Sequence, residues 1–177
     1  ILKIDTATDT VTTFGHTFLS TITPPTVKNW KYHGGQYSPL TGCMYAVPAN
    51  ALSVLKIDPV SEVVSEIGGT YEGKQKWYGG ITGGVDGCIY GVPYGGCRVL
   101  VVNPNNDTVE LIGDEGLLRC ESEKGTVGYG WHGGVYSSIS DCVYGFPAHG
   151  GGVLKVCCGT KAVSLVGEVG NREYKWL

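Results

Sequence analysis

Ring-bearing polar side chains at one repeated position are the first candidates for chemistry. His33, Tyr78 and His132 directly precede glycine pairs, in the phrases YHGG, WYGG and WHGG. An imidazole exchanges a proton near neutral pH and binds metals, and a phenol donates hydrogen bonds. Because equivalent repeat positions share a place in a fold, we expect them to converge at one binding site with His149. A purely structural role, with hydrogen bonds to neighbouring strands, is the alternative interpretation.

These residues do not complete a known metal or catalytic motif. A zinc site takes three or four converging ligands, whereas only His33 and His132 are equivalent histidines. The sequence contains no HExxH motif, nucleophile elbow or phosphate-binding loop. We therefore predict no metal, no cofactor and no catalytic residues.

Seven cysteines are the other reactive group in the sequence. Cys43, Cys88 and Cys142 share one repeat position, and such positions are seldom within the Cα distance of about 7 Å that a disulfide requires. We expect these three to be small, buried packing residues. The odd count leaves at least one thiol unpaired within the chain, and reduced thiols favour an intracellular compartment.

An internal repeat positions all of these residues. Tyr32, Trp77, Trp131 and Trp176 begin four units, 45, 54 and 45 residues apart. Each complete unit divides into four short runs rich in Val, Ile, Thr and Tyr and bounded by Gly, Pro, Asn or Asp, which is typical of strands. A four-stranded antiparallel unit repeated about every 45 residues predicts the blades of a β-propeller.

Within each blade the repeat assigns a place to every strand. The glycine pair marks the innermost strand, because strands that crowd around one axis need residues without bulk. The Cys-x-Tyr strand is apolar on both faces and is predicted to be buried, and the small residues Ala46, Gly91 and Gly145 allow neighbouring blades to pack closely. The fourth strand is the most polar and is predicted to form the outer edge.

The sequence therefore predicts an all-β propeller of three full blades plus about half a blade. The predicted ranges are a half blade at 1–29, blades at about 30–75, 76–129 and 130–174, and the start of another at 175–177. Because propellers typically close with about four to eight blades, we expect a segment of a longer propeller. A partial ring closed by another chain is the alternative.

One unit resembles a known repeat family. The stretch CIYGVPYGGCRVLVVNPNNDTVELIG resembles a kelch repeat, although it has Gly-x-Pro in place of the kelch glycine pair and lacks the late Trp. A closer resemblance is to protist repeat proteins with the pattern KWxGG…GxIYGxP…VLxIDP…VxxIG. The resemblance covers nearly the whole chain and implies the propeller fold. Kelch-like propellers are mostly binding platforms, so it implies no catalytic residues.

Composition excludes two classes of partner. Only 16% of the 177 residues are charged and the net charge is −3, without the clustered Lys and Arg that nucleic-acid binding requires. No run of about twenty apolar residues is present, so we predict no membrane insertion.

Two long loops between blades extend the predicted binding site. Loops of variable length on a rigid scaffold are where binding usually occurs. The first loop carries Trp30, and the second carries Leu117, Leu118, Arg119 and Tyr129. We expect these loops to open on the same face as His33 and to contact a protein partner.

Three functions are compatible with these patterns. The first is a non-enzymatic protein-interaction or scaffold propeller, in the role of an accessory subunit of a larger complex. The alternative is a propeller hydrolase or lyase with a histidine-lined site at the channel mouth. A second alternative is a carbohydrate-binding propeller that uses Tyr32, Trp77 and Trp131 as stacking platforms for a glycan or another small molecule.

Overall fold

Short β-strands dominate the molecule. The computed structural model describes residues 1–15, 30–119, 128–170 and 175–176. The strands are β1 Leu2–Asp5, β2 Thr10–Thr13, β3 Tyr32–Tyr37, β4 Met44–Pro48, β5 Val54–Asp58, β6 Val63–Ile67, β7 Trp77–Thr82, β8 Ile89–Pro93, β9 Val99–Asn103, β10 Thr108–Ile112, β11 Trp131–Ser137, β12 Cys142–Pro147, β13 Val153–Cys157 and β14 Val163–Val166. The helix α1 spans Glu115–Leu118, and no helix in these ranges could cross a membrane.

The strands form three four-stranded antiparallel sheets and one two-stranded sheet. In each full sheet the strands lie in chain order, as β3 to β6, β7 to β10 and β11 to β14, while β1 pairs with β2. The first and fourth strands are therefore the sheet edges, and every residue of the second strand β8 is buried. The prediction of an all-β propeller with three full blades and about half of another is confirmed.

Glycines at the innermost strands let the blades approach. A Cβ added at Gly34 would lie 2.9 Å from the Cα of Gly79, and one added at Gly79 would lie 3.4 Å from the Cα of Gly133. These contacts confirm the predicted crowding. The first glycine of each pair also has a positive φ and lies in a register shift of its strand. Such β-bulges redirect the neighbouring side chain.

Each blade also packs a valine into the next. A Cβ at Gly91 would lie 3.1 Å from Val47, and a Cβ at Gly145 would lie 3.4 Å from Val92. The small residue is thus needed for blade contact, as predicted. The repeated cysteines Cys43, Cys88 and Cys142 are between 2% and 6% exposed, which confirms that they are packing residues.

An ion pair joins successive blades at the turn between the third and fourth strands, and we call this contact the clasp. Lys3 lies 2.7 Å from Glu62 in the following blade, and Lys56 lies 2.6 Å from Asp107 in the blade after that. Glu62 and Asp107 occupy the same turn position, with φ of 57° and 55°. The Tyr45 hydroxyl of the Cys-x-Tyr strand also donates to Asp107, at 3.1 Å.

Between the second and third full blades the charges of this clasp are exchanged. Val101 stands at the strand position of the lysine, and Lys161 takes the turn position of the acid. Asp86, from the turn between β7 and β8, accepts hydrogen bonds from Lys161 and from the Tyr90 hydroxyl at 2.5 Å. Burial opposes ionisation, but these hydrogen bonds and one from the Cys88 N–H lower the pKa of Asp86.

Candidate functional site

Four aromatic rings form a parallel stack beside the inner strands. His33 stacks on Tyr78 with ring centroids 4.0 Å apart, Tyr78 on Tyr94 at 3.9 Å, and Tyr94 on Tyr129 at 4.3 Å. The angles between successive ring planes are 3°, 5° and 6°. We call these four residues the ring ladder. Contacts of this kind add about 0.5–1.5 kcal/mol per pair beyond area burial.

Two histidines complete the cluster. His132 lies edge-on to His33, Tyr78 and Tyr94, at centroid distances of 5.9, 5.5 and 5.6 Å. The ring of His149 lies next to that of Tyr129, with the ring centroids 5.7 Å apart. The Tyr129 N–H donates to Nδ1 of His149 at 2.8 Å, which fixes that nitrogen as an acceptor. The structure thus brings together the rings of His33, Tyr78, Tyr129, His132 and His149, and their role in binding stays a prediction.

Local backbone geometry explains this convergence. His33, Tyr78 and His132 occupy the bulges of β3, β7 and β11, so each side chain leaves the regular alternation of its strand. Sequence reasoning missed Tyr94. It directly follows the second strand, where the other two full blades have Ala49 and Ala148. Comparison of that repeat position would have singled it out as an exception.

A cavity of about 510 Å³ opens against these rings. This volume falls within the range of small-molecule sites, about 300–1,000 Å³. Among the described residues its lining contains no Asp, Glu, Lys or Arg and consists of Trp30, Tyr32, His33, Gln75, Tyr78, Tyr94, Tyr129 and His132. Trp30, Gln75 and Tyr129 are equivalent positions, each two residues before the first aromatic of a blade. The repeat therefore supplies a second set of equivalent lining residues, which the sequence analysis did not recognise.

The electrostatics of the cavity favour a neutral His33. Burial, and after it the neighbouring His132, lowers the pKa of His33, so its unprotonated form prevails at neutral pH. The buried Nδ1 of His33 has no hydrogen-bond partner within the part of the chain that the structure describes.

The second predicted loop is divided between core and surface. Leu117 is 42% exposed and Arg119 is also exposed, but neither lines the cavity. The expectation for Leu118 is corrected, because it is 1% exposed and packs in the core beside Trp131. Trp30, at the end of the first loop, is 63% exposed and does line the cavity.

The predicted glycan platforms are core residues. Trp77 and Trp131 are 3% and 0% exposed. Their indole N–H groups donate to the carbonyls of Arg98 at 2.7 Å and Gly152 at 2.9 Å. A buried indole cannot stack on a sugar, so these two residues are scaffold. Tyr32 differs, because it lines the cavity.

The lysine that precedes the first aromatic is a clamp rather than a reactive amine. Lys76 is buried, and its Nζ donates to the carbonyls of Ala49 at 3.0 Å, Ala51 at 2.8 Å and Gly73 at 3.2 Å. Burial lowers the pKa of Lys76 to about 8. All three ammonium hydrogens have acceptors in the preceding blade. Within the described residues no group of three His, Cys, Asp or Glu could hold a metal ion.

Comparisons with known proteins support the fold. No family model and no curated protein matches the chain. It is similar to streptogramin B lyase, with TM-score 0.61 and 12% identity over 92% of this chain and 46% of that one. It is also similar to a chain of the nidogen–laminin complex, with TM-score 0.58 and 11% identity over 98% and 59%.

A further similar structure is a catalytically inactive histidine variant of virginiamycin B lyase from Staphylococcus aureus, with quinupristin. Its TM-score is 0.56 and its identity 8%, over 78% of this chain and 42% of that one. The chain thus spans between 42% and 59% of the length of these three proteins. At such identities the likeness shows the fold alone.

Proposed function

We propose that the chain is a non-enzymatic binding propeller whose cavity receives an uncharged aromatic side chain of a protein partner. The observation that carries the proposal is the ring ladder, which lines a cavity whose described lining is free of formally charged side chains. The proposal selects the interaction function over the two alternatives raised by the sequence.

The lining favours an uncharged ligand. A buried charge requires a partner charge or several hydrogen bonds, and the described lining of the cavity offers no carboxylate, ammonium or guanidinium. Gln75, the tyrosine hydroxyls and the imidazoles provide neutral donors and acceptors. A tyrosine or tryptophan side chain matches this combination, since each has an apolar ring and one polar group.

The end of the ladder supplies the stacking surface. Among the described residues, the rings that contact His33 are Tyr78 on one face and His132 at an angle of 72°. The second face of His33 is where a ligand ring would continue the stack. The exposed Trp30 stands at the same cavity and would contact the partner around the inserted ring.

A protein partner accounts best for such a site. Aromatic side chains that enter a pocket near the centre of an interface contribute much of the binding free energy. Propellers present such pockets on a rigid scaffold, and here successive blades are joined by the clasps on Asp107 and Asp86.

The experiment uses side-chain analogues as probes. Saturation-transfer NMR would measure binding of p-cresol, 3-methylindole, methylguanidinium and methyl glucoside to the chain and to His33→Ala. We expect signals from p-cresol and 3-methylindole that disappear in His33→Ala. Tyr37→Leu is the matched control, because Tyr37 lies on the same strand, is 54% exposed and is not part of the cavity.

The other probes test the competing ligand classes. Preferential binding of methyl glucoside would support the carbohydrate alternative, and preferential binding of methylguanidinium would indicate a cationic side chain. Equal p-cresol signals from the chain and from His33→Ala would show that the ring does not bind at this cavity. Each of these results would overturn the proposal.

A lyase is the second candidate function, favoured by one specific feature. His33 and His132 lie 5.9 Å apart at the mouth of the cavity, and the lowered pKa of His33 keeps it in the basic form. A general base of this kind could remove a proton from a substrate in the cavity. Two of the similar structures are lyases.

Mass spectrometry of quinupristin incubated with the chain tests this candidate. Cleavage that is retained in Tyr37→Leu and lost in both His33→Ala and His132→Ala would replace the binding proposal by the lyase. We expect intact quinupristin in all four samples.

A further inference from the structure

Two cysteines face each other within the third full blade. The Sγ atoms of Cys142 on β12 and Cys157 on β13 are 3.1 Å apart. The two residues are direct partners in the register of these strands. Cys142 is 2% exposed, and Cys157 is partly exposed. Both carry free thiols.

The hydrogen-bond pattern shows that this pair has the geometry for a disulfide. The N–H of Cys158 donates to the carbonyl of Asp141 at 2.9 Å, one residue outside the pair on each strand. This bond identifies Cys142 and Cys157 as a non-hydrogen-bonded pair, for which the Cα atoms are about 4.5 Å apart. Disulfides span Cα distances of about 4.4–6.8 Å.

The repeat makes this pairing an exception. At the position of Cys157 the other units have Asp5, Asp58 and Asn103. Each of those side chains accepts hydrogen bonds from backbone N–H groups of its turn, such as Ala7, Val60 and Asn105. Cysteine cannot replace that acceptor well, so the third full blade lacks a turn cap that the others have. The substitution places a thiol opposite the repeated cysteine instead.

We propose that Cys142 and Cys157 are a modification site that forms a cross-strand disulfide on exposure to a hydroperoxide. The partly exposed sulfur of Cys157 attacks the peroxide, so an S–O bond forms, the O–O bond breaks and an alcohol or water leaves. Cys142 then attacks the Cys157 sulfur, the S–S bond forms, and water leaves with the Cys142 proton. Two electrons pass from the sulfurs to the peroxide.

The environment determines how fast this reaction runs. The hydrogen bond with Cys142, and after it burial, raises the pKa of Cys157, so little thiolate is present at neutral pH. Oxidation is therefore slow under mild conditions and responds to sustained peroxide. This site lies in β12 and β13, apart from the residues that line the cavity, and the inference does not depend on the proposed function.

Peptide mapping after oxidation tests the inference. The full chain is treated with hydrogen peroxide, alkylated, digested with trypsin without reduction and examined by mass spectrometry. Since Lys155 lies between the two cysteines, the disulfide joins two tryptic peptides with the loss of two hydrogen atoms. We expect this linked species in the unchanged chain and also in Cys158→Ala. Because Cys157 and Cys158 lie in the same tryptic peptide, a link that persists without Cys158 is assigned to Cys157.

Variants that copy residues from the other blades provide the controls. Cys157→Asp introduces the residue of the first blade and should fold normally while the linked peptides fall to background. Cys88→Ala removes the equivalent of Cys142 in the second full blade. The amount of linked peptides in this variant should equal that in the unchanged chain. Linked peptides that persist in Cys157→Asp, or Cys157 that remains fully alkylated after peroxide treatment, would overturn the proposal.

Discussion

The clasps between blades and the cavity beside the inner strands are built on opposite principles. At the turns between third and fourth strands, the residue pairs Lys56–Asp107 and Lys161–Asp86 join successive blades. At the cavity, neutral rings from two blades and their loops stack on one another, and the described lining has no Asp, Glu, Lys or Arg. An ion pair recurs between successive blades at the clasps, whereas the cavity lining differs from blade to blade.

This difference separates scaffold from function. When Val101 replaces the repeated lysine, Asp86 and Lys161 restore an ion pair with reversed charges, so the contact is kept although its residues change. At the cavity the reverse holds. At the position after the second strand, two blades have Ala49 and Ala148, whereas the second full blade has Tyr94. Tyr94 makes two of the three stacking contacts of the ring ladder. Regular positions thus hold the blades together, and irregular positions shape the site.

The largest expected effect concerns the crowded axis. Gly34→Ala places a Cβ 2.9 Å from the Cα of Gly79 at a φ of +79°. The left-handed conformation costs about 1–2 kcal/mol and overpacking about 1–3 kcal/mol more. We predict a loss of about 2–5 kcal/mol in the free energy of unfolding, measured by urea titration.

Gly133→Ala is the matched control for this substitution. Its φ is +69°, but no atom of the described residues lies within 4 Å of the added Cβ. It should lose only the conformational cost of about 1–2 kcal/mol. Equal losses in the two variants would show that the backbone angle, and not the approach of the inner strands, requires these glycines.

The next effect concerns the clasp on Asp86. Asp86→Asn removes the partly buried carboxylate charge that accepts hydrogen bonds from Lys161 and Tyr90. It should therefore lower the free energy of unfolding by about 1–3 kcal/mol. Glu62→Gln breaks the more exposed pair with Lys3 and should cost less than about 1 kcal/mol. Thermal unfolding of the two variants measures both losses of stability. A larger loss for Glu62→Gln than for Asp86→Asn would contradict this ranking.

The same clasp predicts an acid dependence of stability. The pKa of Asp86 is lower in the folded chain than its ordinary value of 3.8, so the folded chain favours the carboxylate. Its contribution is complete above the unfolded pKa and disappears as the pH falls through the folded pKa. The difference in stability between the chain and Asp86→Asn should therefore shrink below about pH 4. A difference that grows on acidification would contradict the lowered pKa.

A smaller effect on stability than that of Asp86→Asn is expected at the cavity. His33→Gln removes a partly exposed ring that stacks on Tyr78, so it should cost about 0.5–1.5 kcal/mol. Binding of p-cresol should nevertheless be lost. Equilibrium unfolding and NMR titration of the same sample separate the two quantities. A loss of stability as large as that of Gly34→Ala would make His33 a scaffold residue.

The sequence predicted what the repeat determines. Spacing indicated the blades, the crowded glycines and the convergence of His33, Tyr78 and His132, because equivalent positions share one backbone location. It did not predict the bulges that direct these side chains, because a register shift between two strands leaves no periodic signal in the sequence. The ladder step at Tyr94 was also missed, because the repeat position that Tyr94 shares with Ala49 and Ala148 was not compared between blades. Leu118 was misassigned, since a loop residue in sequence became a core residue beside Trp131.

The location of a bound ring tests the separation of scaffold and site most directly. Intermolecular NOEs from p-cresol to the isotope-labelled chain would identify the residues in contact. We predict NOEs to the rings of His33 and Trp30, which line the cavity where the ligand ring would continue the stack. NOEs confined to a different cavity, of about 670 Å³ and lined by residues that include Trp77 and Leu111, would contradict this location of the site.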